Sequence, residues 1–145
     1  MFIGTYNHSI DSKNRMLIPS KVKATLNEVT FVYLSLGFDE NIDMRLESEF
    51  NQFVDNINNL PIGSREARNL TRLLLSQTYK VEIDSASRIL IPQNLIDKAK
   101  IKKDIYIIGT NDRYEIWAKE VYDDFSLNQE DTLSDLAEKL LINGI

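Results

Sequence analysis

The chain repeats one stretch of ten residues, Ile10-Asp11-Ser12-Lys13-Asn14-Arg15-Met16-Leu17-Ile18-Pro19. The second occurrence, at an offset of 73 residues, is Ile83-Asp84-Ser85-Ala86-Ser87-Arg88-Ile89-Leu90-Ile91-Pro92. Both read Ile-Asp-Ser-x-x-Arg-x-Leu-Ile-Pro, and the match extends back to Thr5-Tyr6 and Thr78-Tyr79. A shared pattern of this length is hard to obtain by chance. It predicts that the chain consists of two copies of one structural unit.

Each copy is predicted to contain the same order of elements. A strand, a polar turn and a second short strand come first, and a proline then ends the strand and opens a short helix. A hairpin of two further strands completes the copy. The predicted boundaries are residues 5–47 for repeat 1, 48–75 for a helical linker, 76–119 for repeat 2 and 120–145 for an acidic helical tail.

Alternation of apolar and polar residues predicts which side of each strand is buried. In the strand at residues 42–46, Ile42 and Met44 are expected to point inward. Asp43 and Arg45 of the same strand are expected to point outward. The hydrophobic core is therefore predicted to lie on one side of this strand only.

The linker is predicted to hold a helix from Ser64, as its N-cap, to Gln77. Its apolar face comprises Ala67, Leu70, Leu73 and Leu74. Its other face carries Arg65, Arg68 and Arg72. This second face fits three interpretations, which are a solvated surface, a phosphate-binding stripe, and a surface that pairs with acids at a subunit boundary.

The net charge of −5 is concentrated near the C-terminus. Residues 119–145 hold seven acidic and two basic side chains, whereas residues 1–118 hold 15 of each. A neutral body can present a basic face, so the overall charge does not exclude nucleic-acid binding. The lysines before the seventh predicted strand are a further candidate basic cluster, although such runs are usually solvated; they are Lys98, Lys100, Lys102 and Lys103.

Composition excludes several classes of site. Cysteine is absent, which excludes disulfides and thiolate metal sites and suits a reducing cytoplasm. His8 is the single histidine, so histidine metal clusters and Ser-His-Asp triads are excluded within one subunit. No run of about 18 apolar residues predicts a membrane span, and the N-terminus lacks the pattern of a secretory signal. No catalytic constellation, cofactor site or small-molecule site is apparent, so an enzyme is not expected.

The Asp and Arg of the repeated stretch allow two interpretations. Asp11 and Asp84 can build a turn by accepting backbone N–H groups two residues on. Arg15 and Arg88 then return at the start of the next strand, where each could form a purely structural ion pair with its Asp. In the second interpretation, the same loop presents the arginine to DNA.

The DNA-binding interpretation depends on the donors in the first loop. Lys13, Asn14 and Arg15 can all donate to phosphate, and Asn and Arg can also read base edges. In the second loop only Arg88 is cationic, because Ala86 replaces the lysine. Each copy is too small to bury much core alone, so the two must pack together. Two such loops on one pseudo-two-fold face would match the symmetry of a duplex.

These residues resemble the MraZ proteins, bacterial transcription regulators of the AbrB/SpoVT superfamily. The resemblance covers about residues 1–127 and rests on the two Asp-x3-Arg motifs, the Met1 start, Gly4-Thr5-Tyr6 and Glu115-Ile116-Trp117. It implies an α+β fold, a pseudo-two-fold double-split β-barrel of swapped hairpins built from two tandem AbrB-like repeats with flanking helices. It also implies a ring-shaped homo-oligomer, an octamer or similar.

The resemblance further implies a function. Members bind short direct repeats of double-stranded DNA upstream of the division and cell-wall gene cluster, usually as repressors that also act on their own promoter. By motif position, Arg15 is the foremost DNA contact, with Lys13, Asn14 and Arg88 beside it, while Asp11 and Asp84 shape the hairpins. The expected location is the cytoplasm, in association with the nucleoid.

One rival interpretation is a module that binds proteins rather than DNA. In that case the hairpins are structural, and the acidic tail engages a basic partner. The tail is predicted to hold a short amphipathic helix from Asp131 to Ile142, either docked on a neighbour or mobile. Its apolar stripe comprises Leu133, Leu136, Ala137, Leu140 and Leu141.

Overall fold

The fold is α+β, as predicted, and the computed structural model describes residues 1–141. The first copy and the linker contain β1 (Thr5–Ser9), β2 (Arg15–Leu17), α1 (Ser20–Thr25), β3 (Phe31–Leu36), β4 (Ile42–Arg45), α2 (Glu47–Asn58) and α3 (Arg65–Leu75). The second copy and the tail contain β5 (Tyr79–Glu82), β6 (Arg88–Leu90), α4 (Gln93–Lys98), β7 (Asp104–Gly109), β8 (Tyr114–Ala118), α5 (Lys119–Leu127) and α6 (Leu133–Leu140). The predicted end of the tail helix, Ile142, lies outside the described residues.

Six strands form one antiparallel sheet in the order β1-β7-β8-β4-β3-β5, and β2 pairs with β6 in a separate two-stranded ribbon. The order is symmetric about the centre of the sheet, where β4 lies beside β8. The equivalent strands β1 and β5 form the two edges, and β7 and β3 are the next strands inward. The outer pairs join different copies, since β1 pairs with β7 and β5 pairs with β3. Neither copy could form this sheet without the other.

The predicted double-split barrel is not closed. In the described part of the chain, β1 and β5 are the two edges of the large sheet and do not pair with each other. The ribbon of β2 and β6 covers the core as a second, separate sheet. Periodicity predicts strands but not which strand lies beside which, so closure could not be read from the sequence. The double-split exchange of hairpins remains a prediction.

The hydrophobic core lies between the large sheet, the ribbon, α1 and α4. Met16 and Ile89, at the centre of the ribbon, retain at most 1% of their exposure. Full burial of a side chain of this size contributes about 1.5–3 kcal/mol. The sheet contributes further buried side chains; they are Val32, Leu34, Ile42, Met44, Ile105, Ile107 and Ile116. The core therefore draws on both copies and holds them together.

The outward direction predicted for two side chains of β4 does not expose them to solvent. Asp43 and Arg45 alternate with apolar residues as predicted, but both are buried, with 6% and 4% of their surface exposed. Helix α2 packs over this side of β3 and β4. The Arg45 guanidinium lies 3.8 Å from the centre of the Phe53 ring. The sheet is thus covered on both sides at this point, and alternation alone could not reveal the second cover.

The two amphipathic helices are only partly packed. Helix α3 begins as predicted, because the Ser64 side chain accepts a hydrogen bond from the Ala67 N–H at 3.2 Å. Of its predicted apolar face, Leu74 is buried, whereas Leu73 is 64% exposed. Helix α6 contains no buried residue. None of the described helices is long and apolar enough to cross a membrane.

Candidate nucleic-acid interface

The loop between β1 and β2 is organised by the Asp11 carboxylate. Its Oδ1 accepts hydrogen bonds from the N–H groups of Lys13 and Arg15, both at 2.9 Å. Its Oδ2 accepts a hydrogen bond from Arg15 Nε at 2.8 Å. The backbone closes the same loop, since the Asp11 N–H donates to the Arg15 carbonyl at 2.9 Å. One carboxylate therefore fixes the turn and also holds the arginine side chain.

The loop between β5 and β6 has the same geometry. Asp84 Oδ1 accepts from the N–H groups of Ala86 and Arg88 at 2.9 Å, and Oδ2 accepts from Arg88 Nε at 3.0 Å. Both loops also contain one residue in the left-handed region, Asn14 with φ 63° and Ser87 with φ 61°. Asn tolerates this conformation better than Ser. The two loops keep one shape although their central residues differ.

The ribbon of β2 and β6 brings the two loops together. Arg15 is paired with Leu90, Met16 with Ile89, and Leu17 with Arg88. Because successive side chains of a strand point to opposite sides, the buried Met16 and Ile89 place their neighbours on the outer face. That outer face carries four side chains, Arg15, Leu17, Arg88 and Leu90. The arginines occupy one diagonal of this face and the leucines the other.

The two arginines retain unused hydrogen-bond donors. Their side chains are 33% and 35% exposed, and the Nε of each is bonded to its own carboxylate. Within residues 1–141, no hydrogen bond is formed by the Nη atoms of Arg15 or Arg88. A guanidinium has five N–H donors in a planar fork. Each arginine is thus held in place and can still donate to a phosphate or a base edge.

Asn14 connects the two copies. Its side-chain Nδ2 donates to Gln93 Oε1 at 2.7 Å, and Gln93 Nε2 donates to Asp97 Oδ1 at 2.8 Å on α4. The Asn14 carbonyl also accepts a hydrogen bond from the Ile91 N–H at 2.9 Å. Asn14 therefore has a structural role that the sequence did not indicate.

Lys13 is exposed, and its ammonium forms no hydrogen bond with the described residues.

Among the other candidate cations, Lys103 lies beside the first loop, because its carbonyl accepts a hydrogen bond from the Ile10 N–H at 2.9 Å. Lys100 reaches Glu40 at 3.4 Å, with both side chains more than half exposed. On α3, Arg68 Nη1 donates to the Ile62 carbonyl and Arg72 Nη1 donates to Asn69 Oδ1, both at 2.9 Å. These contacts are local and exposed. The ribbon face is the place where equivalent arginines of both copies lie together.

Hydrogen bonds hold both loop carboxylates in the ionised form. The N–H of Arg15 and then its side chain lower the pKa of Asp11 below its ordinary value, and Arg88 does the same for Asp84. Burial opposes this effect in both loops and does not reverse it. At neutral pH each arginine is therefore paired with a charged carboxylate.

Acidification is expected to loosen both loops. Because the folded-state pKa of Asp11 and Asp84 is lowered, their contribution to stability is complete above about pH 4 and is lost as pH falls through the folded-state pKa. The amide proton shifts of Arg15 and Arg88, followed by NMR from about pH 6 to pH 2.5, should report this loss. Asp84→Asn should abolish the titration of the Arg88 amide and leave that of Arg15. Titration of the Arg88 amide in that variant would assign the effect to another group.

Comparison of the sequence with known protein families supports the division of the chain into two copies of one unit. A family model described as "MraZ protein, putative antitoxin-like" matches residues 1–73 and again residues 74–143. The chain belongs to the MraZ family. The transcriptional regulator MraZ of Ureaplasma parvum serovar 3 is 92% identical over the full length of both chains. That of Mesoplasma florum is 41% identical over 97% of this chain and 95% of its own. That of a Thermoanaerobacter species is 39% identical over 97% and 96%.

In addition to the two Asp-Arg loops, the structure contains a second charged site, on β4 and β8, that was not predicted from the sequence. Asp43 on β4 lies directly opposite Glu115 on β8, and Arg113 contacts both, at 3.4 Å and 3.0 Å. Arg45 contacts Asp43 at 3.4 Å. The sequence did carry one indication of this site. Asp43 follows Gly37 at the same distance as Glu115 follows Gly109, so the two copies hold an acid at equivalent positions. Paired acids in the centre of a sheet require a cation, and the sequence did not show that the strands adjoin.

Proposed function

We propose that the chain is a sequence-specific DNA-binding transcriptional regulator that reads DNA with its two Asp-Arg loops. The observation that carries the proposal is the outer face of the ribbon. There, two arginines from equivalent positions are each fixed by a carboxylate and each keep free donors. A two-stranded ribbon is narrow enough to enter the major groove. The names of the relatives, transcriptional regulators from several bacteria, support the same function.

In this proposal the residues have distinct roles. Arg15 is the main contact and donates to a base edge or a phosphate from its Nη atoms. Lys13 adds a phosphate contact, and Asn14 lies at the same surface while holding α4 through Gln93. Arg88 is the weaker counterpart of Arg15, because Ala86 stands where the first loop has Lys13. Asp11 and Asp84 hold the loops and are positioning residues.

The wider organisation is also part of the proposal. The two tandem AbrB-like repeats, residues 5–47 and 76–119, form a pseudo-two-fold unit of swapped hairpins, between the linker at 48–75 and the tail at 120–145. Several chains associate in a ring, an octamer or similar, and bind short direct repeats in the promoter of the division and cell-wall gene cluster. Repression there includes the chain's own promoter. The protein acts at the nucleoid in the cytoplasm, without catalysis or a small-molecule substrate.

A DNA titration tests this function. Fluorescence anisotropy of labelled upstream DNA should show specific binding that exceeds binding to a scrambled duplex. Log affinity should fall with log salt concentration by about 0.9 for each phosphate contacted. Tandem repeats should bind more tightly than a single repeat, because the second contact forms at a high effective concentration. Equal affinity for the upstream and scrambled duplexes would refute sequence-specific binding.

The exposed tail helix supports the alternative, a module that binds proteins. Leu133 and Leu140 of α6 are 86% and 76% exposed, and such apolar surface usually marks an interaction site. If the intact protein bound neither duplex and yet formed stable complexes with a basic protein, this alternative would be preferred. Removal of residues 130–145 would then abolish those complexes.

A further inference from the structure

The outer face of the β2–β6 ribbon carries two leucines that the chain itself leaves uncovered. Leu17 is 44% exposed and Leu90 is 57% exposed. Their neighbours along the strands, Met16 and Ile89, are buried in the core, so the two leucines lie on the opposite side of the ribbon. The leucines therefore point away from the core that their own chain forms.

The same exposed leucine occurs in both copies, although the core does not require it. The loops next to it differ between the copies, since Lys13 corresponds to Ala86 and Asn14 to Ser87. Where one side of a sheet faces the core, the other side usually carries polar residues. A large apolar side chain at the same outward position of both copies therefore indicates a contact with something outside the chain.

Each leucine lies directly opposite an arginine of the other copy. In the register of the ribbon, Leu90 is paired with Arg15 and Leu17 is paired with Arg88. Side chains at opposed positions of an antiparallel pair have their Cβ atoms about 4.5–5.5 Å apart. A ligand that accepts hydrogen bonds from the Nη atoms of either arginine therefore lies within reach of the leucine opposite.

The major groove of DNA, which admits a two-stranded ribbon, offers both kinds of group side by side. Guanine presents its O6 and N7 acceptors there, and thymine presents an apolar C5 methyl group. Adjacent base pairs are about 3.4 Å apart along the helix axis, a distance that the length of these side chains accommodates. An arginine and the leucine opposite can thus contact two neighbouring base pairs.

We propose that Leu17 and Leu90 recognise thymine methyl groups, each beside the position that the opposed arginine contacts. Guanine is the commonest specific partner of arginine, so the expected feature of the bound DNA is thymine next to guanine. The pseudo-symmetric ribbon should contact one such thymine with each copy. The inference rests on the proposed DNA-binding function and adds a sequence preference that the charged loops alone do not supply.

Uracil substitution in the DNA tests this contact with the unaltered protein. Uracil lacks the C5 methyl group of thymine and keeps the same hydrogen-bonding groups. Anisotropy titrations of the full chain compare the upstream duplex with duplexes in which one thymine at a time is replaced by uracil. Affinity should fall about fourfold for each contacted methyl group, the effect of exposing one buried carbon, and should be unchanged at the other thymines.

Two protein variants connect the lost methyl group with its partner. Leu17→Ser and Leu90→Ser should each bind the thymine duplex about fourfold more weakly and lose the discrimination against uracil at one position. Leu73→Ser, at a position on α3 that is 64% exposed, is the matched control and should keep the full discrimination. Sedimentation must show the same oligomeric mass for all three variants. An effect of the methyl group on the shape of the duplex would persist in the serine variants.

Three results would overturn the inference alone. Equal affinity of the wild-type protein for the thymine and uracil duplexes would remove the methyl contact and leave sequence-specific binding in place. Full discrimination in both serine variants would assign the methyl contact to other residues. Serine variants that lost affinity and yet still discriminated against uracil would show that the leucines support the ribbon. Failure of the wild-type protein to prefer the upstream duplex over a scrambled one would refute the proposed function and this inference together.

Discussion

Replacing Arg15 by alanine is expected to weaken binding to the upstream DNA about ten- to hundredfold, the range of one well-placed base contact. The loop itself should survive, because the Asp11 carboxylate still accepts the two backbone N–H groups that shape it. The loss therefore reflects the missing guanidinium and not a collapsed turn. Anisotropy titrations of the intact protein at one fixed salt concentration measure it.

Two matched variants make this result specific. Arg65→Ala removes the same charge from an exposed position on α3 and should change affinity less than about threefold, since a distant charge is screened. Arg88→Ala should have an intermediate effect, because the second loop lacks a counterpart of Lys13. Sedimentation must show the same oligomeric mass for all variants. Equal losses for Arg15→Ala and Arg65→Ala would mean that overall charge, and not the loop, governs binding.

The local structure could be predicted from the sequence because it is encoded locally. The repeat predicted two equivalent sets of strands and short helices, and the Ser64 cap and proline positions placed the helix starts within about two residues, the usual uncertainty of helix boundaries. Pairing between strands is different, because it joins residues far apart. Nothing in the sequence of β1 indicates that its partner is β7, about 100 residues later. The open sheet and the ribbon were therefore found only in the structure.

The candidate interface was predictable to a similar degree. The spacing of Asp11 and Arg15 indicated a turn closed by the carboxylate, and the structure has that geometry in both copies. The bond from Asn14 to Gln93 was not predictable, because it joins the first loop to a helix of the second copy. The outer position of Leu17 and Leu90 also depends on the pairing of β2 with β6.

The buried charges beneath α2 are arranged as a connected set. Asp43 accepts a hydrogen bond from Asn41 Nδ2 at 2.8 Å and lies 3.4 Å from both Arg45 Nη1 and Arg113 Nε. Burial raises the pKa of Asp43, although both arginines oppose the shift, and burial also lowers the pKa of Arg45. Taking a carboxylate or a guanidinium out of water is costly, which agrees with both directions. The Asp43 carboxylate is tolerated because Asn41, Arg45 and Arg113 surround it.

Arg45→Ala is accordingly expected to lower the free energy of unfolding by about 3 kcal/mol, the lower end of the cost of breaking a buried ion pair, because Asp43 keeps Arg113 and Asn41 as partners. The change also removes the stacking of the guanidinium on Phe53. Urea denaturation followed by Trp117 fluorescence measures it, since the indole is buried and donates to Glu115 at 3.0 Å in the same set of charges. Lys100→Ala is the exposed control, and its pair with Glu40 should contribute about 0–1 kcal/mol.

The double replacement Asp43→Asn with Arg45→Met separates two explanations of that loss. If the cost of Arg45→Ala comes from a buried Asp43 charge that has lost one of its two arginines, the double variant should recover most of the lost stability, because it removes both charges of the Asp43–Arg45 pair and keeps a side chain of similar length over Phe53. If the cost comes from specific contacts of the arginine, the double variant should be as unstable as the single one. The first result is expected, since burial is the largest influence on the pKa of both Asp43 and Arg45.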